Sequence, residues 1–355
     1  MTWRGVVSLA AGVLATGCAY YNAMWSAERH ASEARRLEQR GQASEARAEW
    51  TQAASKAEAV TLRHPRSRWA DDALVLQAEA LVRSGACRDA AAPLARARAN
   101  VKDPALRERA DLAAAECAIG AGSALEAEAA LISPLASSDA ERRSRAEYLA
   151  GQAATLRSDF DAANAHFSRS REGAALGRAR VGQQRLLISR ARTRADLAPI
   201  AAELTRLVRT EHEADEATHL LGLLTQLMAV AETPAARFHL AELARDSLQA
   251  PALAGQMFLD LAGGDAGSTY APKALIAALV LTPDKHDSIV AVLDSRYAAS
   301  PYTRAFHGES SVAYTAAEDS LAGALAVAGP RVASALGGVR YGGGAPRPGP
   351  KGPLP

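Results

Sequence analysis

Between Tyr20 and about Asp319, apolar positions recur with the 3.6-residue period of amphipathic helices, and Gly, Pro, Ser or Asp interrupts the pattern every fifteen to twenty residues. This rhythm predicts antiparallel helix pairs joined by short turns, and no stretch shows the two-residue alternation of a strand. Four segments align without gaps: 41–53 (GQASEARAEWTQA), 85–97 (GACRDAAAPLARA), 122–134 (GSALEAEAALISP) and 158–170 (SDFDAANAHFSRS). Each begins with a small turn residue, carries alanine five positions on (Ala46, Ala90, Ala127, Ala163), and a bulky apolar residue four further (Trp50, Leu94, Leu131, Phe167). Successive alanines are 44, 37 and 36 residues apart, the period of stacked helix-turn-helix units.

A physical cause underlies the alignment. Where two helices cross at closest approach only a small side chain lets the backbones meet, and one turn later a large one fills the groove. The preceding helices follow the same rule: seven positions before the turn stand Ala34, Ala78, Ala115 and Gly151, and four before it Leu37, Leu81, Ala118 and Ala154. Over about Ser26 to Ser170 the pattern resembles the tetratricopeptide repeat (TPR), whose small and large positions fall at these spacings. The tryptophan that opens the family's unit is absent from every copy, so the repeats are degenerate. The resemblance implies an all-α chain, a right-handed α-solenoid of TPR-like antiparallel helix pairs.

The expected organisation is a signal peptide over 1–17, TPR-like repeats over 18–172, degenerate helical repeats over 173–264, a helix-turn-helix cap over 265–308, a terminal helix over 309–329 and a disordered Gly/Pro-rich tail over 330–355. Within the degenerate part, one continuous helix is predicted over Pro234–Leu248. Pro65 is expected to stop the second helix, with Ser67 or Asp71 capping the next.

Composition sharpens this picture. Roughly a quarter of the chain is alanine while aromatics make up 5%, which means closely packed helices and excludes a β-sandwich or barrel. With 41 basic and 39 acidic residues the net charge is +2, so no whole-molecule field attracts nucleic acid. Arg142, Arg143 and Arg145, interspersed with Glu141 and Glu147, read as a solvated helix face.

The opening Met1-Thr2-Trp3-Arg4, an apolar run over Gly5–Ala15, then Thr16 and Gly17 before Cys18, resembles a bacterial lipoprotein signal. It implies lipidation of Cys18 and an anchored protein. Ala19 lacks the aspartate associated with inner-membrane retention, which favours an outer-membrane lipoprotein facing the periplasm. In that oxidising compartment Cys87 and Cys117 fall at neighbouring ends of an antiparallel stack. A disulfide between them would staple consecutive repeats; small helix positions equally accept buried free thiols.

Candidate chemistry is sparse. His212, Glu216 and His219 share one helical face, but no HExxH pattern forms, and acids at a helix N-terminus are explained by the macrodipole. Gly263, Gly264 and Gly267 follow a helix rather than a strand and make no phosphate cradle. Trp50 and Trp69 are expected in the core. No catalytic residue, cofactor or small-molecule substrate is expected.

Tyr20-Tyr21-Asn22-Ala23 after the cysteine, and His64-Pro65-Arg66-Ser67-Arg68-Trp69-Ala70-Asp71-Asp72-Ala73 between repeats, resemble the TPR lipoproteins of bacterial envelopes, the BamD-like group. That resemblance implies a non-catalytic scaffold whose groove holds protein partners of the cell envelope, or a subunit assisting assembly of outer-membrane β-barrels. A metal-binding protein or enzyme of the envelope is the third alternative.

Overall fold

The computed structural model describes residues 23–210, 215–309, 311–321 and 323, and every regular element among them is helical. The expected signal peptide, Cys18, Tyr20 to Asn22, His212 and the tail over 330–355 lie outside the described residues. Helix α1 spans 23–39, and α2 (Ala43–Arg63), α3 (Ala70–Arg83), α4 (Cys87–Asn100), α5 (Pro104–Gly120), α6 (Ala124–Leu135), α7 (Ala140–Leu156) and α8 (Phe160–Arg169) complete four hairpins. Then come α9 (Gly173–Arg190), α10 (Leu197–Thr210), α11 (Asp215–Met228), α12 (Pro234–Glu242), α13 (Pro251–Gly264), α14 (Tyr270–Leu281), α15 (His286–Arg296), α16 (Pro301–Phe306) and α17 (312–321).

The four hairpins turn identically. Gly41, Gly85, Gly122 and Ser158 have φ of 73, 87, 75 and 60°, the left-handed region where a Cβ is costly. The next residue's N–H then returns to the carbonyl four positions before the turn: Gln42 to Leu37, Ala86 to Leu81, Ser123 to Ala118 and Asp159 to Ala154, at 2.8–3.0 Å. This closure satisfies carbonyls that a helix end otherwise leaves open. Starts are fixed separately. Asp103, Asp139 and Asp159 accept backbone N–H groups at the heads of α5, α7 and α8.

Core clusters repeat with the hairpins. Residues of α1, α2 and α3 form one, of α3, α4 and α5 the next, of α5, α6 and α7 the third, and of α7, α8 and α9 the fourth. Each hairpin thus buries its apolar faces against the first helix of the next. All nine positions named for packing, Ala46, Trp50, Ala90, Leu94, Ala127, Leu131, Gly151, Ala163 and Phe167, are buried. A Cβ on Gly151 would meet the Phe167 ring at 2.5 Å, and one on Gly182 would meet the same ring at 2.8 Å, so two backbones clasp one aromatic.

Two compact units divide the chain. The first runs to Ile188 and includes Leu197–Leu221; the second holds Ser189–Asp196 and continues from Gly222. In the second, the single helix expected over Pro234–Leu248 is interrupted. α12 ends at Glu242, a π-turn spans Leu243–Ser247, and Leu248 N–H bonds to Leu243 O at 3.1 Å. The wider turn lets Ala244, Leu248 and Ala250 all bury. α3 also differs from expectation: no side chain caps it, and Ser67 Oγ instead accepts Trp69 N–H at 3.2 Å within the turn.

Candidate functional site

The first helices of the four hairpins, α1, α3, α5 and α7, line one groove of about 550 Å³. Its walls carry Glu28 and Arg35 of α1, Asp72 and Glu79 of α3, Arg109 of α5, and Arg142 and Arg145 of α7, over a floor that includes Met24, Leu76 and Leu112. A second recess of about 480 Å³ is bounded by Glu38, Arg83, Glu116, Tyr148, Arg178 and Glu216.

Ion pairs link each first helix to the next. Arg83 of α3 donates to Glu38 of α1 at 2.7 Å and reaches Glu116 of α5 at 4.0 Å. Arg145 of α7 donates to Glu116 at 2.7 Å, Arg142 to Glu108 at 2.7 Å, and Arg109 of α5 grips both oxygens of Glu79 at 3.0 and 2.5 Å. Trp50 joins this ladder, its Nε1–H donating to Glu38 at 2.9 Å while the guanidinium groups of Arg35 and Arg83 stand 5.5 and 5.6 Å from its ring centre. The solvated face expected for Arg142, Arg143 and Arg145 is therefore corrected at two of its positions: Arg142 and Arg145 pair across to α5, whereas Arg143 is exposed and donates to Ser137 O at 2.5 Å. Tertiary packing brings a carboxylate from the neighbouring repeat within reach, and pairing outweighs solvation.

Electrostatics follow from that packing. Burial works against the Glu116 carboxylate, yet Arg145 and Arg83 outweigh it and hold its pKa below the usual glutamate value. Burial likewise opposes the Arg145 charge, and Glu116 and Glu79 prevail, raising its pKa. Asp72 goes the other way: burial dominates and lifts its pKa despite its own backbone hydrogen bond and Arg109. Burial, then the charge of Glu216, pushes the Tyr148 phenol to about 12. Such a surface presents fixed donors and acceptors along the groove.

Cys87, at the head of α4, is bonded to Cys117, near the end of α5, with Cα atoms 5.6 Å apart. The bridge ties the second hairpin to the third beside the recess. Of the candidate metal set, Glu216 pairs with Arg185, His219 is exposed, and no cluster of three metal-ligating side chains forms among the described residues. Trp69, expected in the core, is half-buried with Arg68 4.8 Å from its ring centre. No helix among the described residues is long and apolar enough to cross a membrane.

The ladder is what reading by residue type missed. Its signal is present in the spacing: Glu79 and Arg109 lie 30 residues apart, Glu116 and Arg145 29, Glu108 and Arg142 34. Each is shorter than the 36–44-residue repeat because the pair runs from a later turn of one first helix to an earlier turn of the next. No family model, curated protein or solved structure matches the chain.

Proposed function

We propose that the first unit is a right-handed TPR-like solenoid serving as a non-catalytic scaffold, lipid-anchored through Cys18 at the outer membrane, whose groove holds a segment of an envelope protein. The observation that carries the reading is the fourfold repetition of one hairpin geometry with its first helices lining one groove. Repeated, similarly spaced walls suit an extended segment contacted at intervals.

The experiment is photocrosslinking in cells from a probe at Glu28 in the groove and from one at Ile132 on the outer face of α6, with membrane fractionation. Partners captured from Glu28 alone, in the outer-membrane fraction, support the reading. Equal capture from both positions removes the groove, and recovery in the soluble fraction removes the Cys18 anchor. The His64–Ala73 stretch favours one narrower alternative, a BamD-like role, for which the captured partners are subunits of the barrel-assembly machinery.

A further inference from the structure

The groove lined by α1, α3, α5 and α7 keeps a charge imbalance that its internal pairing does not cancel. Three of its four arginines are committed to carboxylates: Arg109 to Glu79, Arg142 to Glu108 and Arg145 to Glu116. The fourth, Arg35, stands over the Trp50 ring. Glu28 of α1, Asp72 of α3 and Glu141 of α7 line the same groove and form no ion pair with a described residue. Asp139, the remaining acid, caps α7 and lies 3.4 Å from Arg142.

The helix macrodipole favours an acid in a first turn, but it does not require that acid to line a groove, and Glu28 lies beyond the first turn of α1. Asp72 is half-buried; burial lifts its pKa, Asp71 and Asp103 add to the shift, and Arg109, already gripped by Glu79, does not offset it. A cation beside that carboxylate would restore what burial costs it. The floor of Met24, Leu76 and Leu112 suits the aliphatic stem of Lys or Arg, whose charged end then reaches the wall. Spacing narrows the fit further. α1 and α3 share one core cluster, α3 packs on α5 and α5 on α7, so adjacent first helices stand about 8–10 Å apart. Glu28, Asp72 and Glu141 are thus separated by one such step and then by two, which an extended backbone rising about 3.3 Å per residue covers in about three and about six residues.

We propose that the groove selects an extended segment of its partner that carries three cations, Lys or Arg, at intervals of about three and about six residues. Each cation meets one of the carboxylates Glu28, Asp72 and Glu141, and its stem lies along the apolar floor. The inference rests on the groove being the partner-binding surface and adds the chemistry of the segment it takes.

The test is fluorescence anisotropy of a labelled synthetic peptide with three arginines at those intervals in a glycine–serine background, titrated with the purified full chain. It should bind at least about tenfold tighter than the same peptide with glutamate for arginine, and about threefold tighter than one with contiguous arginines. Glu28→Gln and Glu141→Gln, both at exposed positions, should each weaken it about threefold, and Asp72→Asn about fivefold. Glu126→Gln, exposed on α6, should leave it unmoved. Circular dichroism identifies any variant that fails to fold, and the peptide comparison on the unmodified chain serves in that case. No measurable binding, equal binding of the arginine and glutamate peptides, or an equal loss from Glu126→Gln would each overturn the proposal. In cells, the segment captured from a probe at Glu28 should itself carry the cations. Capture of residues 340–351 of this chain, with Arg340, Arg347 and Lys351, would give the groove an internal occupant and overturn the proposal. Capture of an envelope partner through an acidic segment removes this inference alone, whereas charge-selective peptide binding without capture in cells removes the cellular reading alone.

Discussion

From α1 to α8 every hairpin turns on a left-handed residue and alanine or glycine fills the crossings, whereas the second unit packs Phe238 against Phe258 and Tyr270 with ring centres 5.2 and 5.5 Å apart. Its helices also lose regularity, with a π-turn over Leu243–Ser247 and Gln249 at φ 52°. Small residues at a crossing bring backbones together but remove little side-chain area from water, so the repeats lean on interhelix ion pairs and the Cys87–Cys117 bridge. Aromatic side chains bury more area per residue and tolerate irregular backbone around them. Regular geometry and a large-residue core are therefore alternative routes to a packed helical layer.

The sharpest way to break the comparison is at the one aromatic that the repeats clasp between glycines. Phe167→Ala is expected to cost about 3–5 kcal/mol in chemical denaturation, and Gly151→Ala, which drives a methyl into the same ring, about 1–3 kcal/mol. If both prove neutral, the glycine contacts with Phe167 are not tight. Next in size is the staple. Replacing Cys87 and Cys117 by serine together should cost about 3–4 kcal/mol by the loop-entropy account, and a reductant should lower the melting temperature of the native chain while leaving the serine variant unmoved.

The charge ladder gives a third test, with a definite sign. The folded pKa of Glu116 is depressed by Arg145 and Arg83 once burial has been overcome, so its stabilisation is complete above the ordinary glutamate value. It is lost as pH falls through the folded value. Glu116→Gln should cost about 2–3 kcal/mol at neutral pH and flatten the acid limb of stability against pH; an unchanged limb would remove the ladder from the energetics. The smallest effects sharpen the turn geometry. Gly85→Ala, where nothing lies within 4 Å of the new methyl, should cost about 1 kcal/mol from backbone strain alone, and Ser158→Gly should gain about 0.5–1 kcal/mol.

Much of the repeat layer is legible in the chain because turn residue, alanine and bulky apolar residue recur at fixed offsets within one hairpin. Such information is local: a left-handed turn favours Gly, and a crossing point needs a small side chain. The groove's chemistry is less legible. Arg145 and Glu116 each look like ordinary helix-surface charge, and only stacking one hairpin on the next puts them 2.7 Å apart. Lys273 and Glu318, 45 residues apart, carry no periodic signal at all.

The sequence by itself determined the helical class, the four turn positions and the residues at each crossing, because the period of the apolar pattern and the steric demands of φ and of close approach act within a few residues. Tertiary structure alone decided which charges pair, that Cys87 and Cys117 join, that the helix after Pro234 widens into a π-turn, and that Lys273 holds Glu318. Those outcomes depend on distances between segments far apart in the chain, which packing sets and local preference does not.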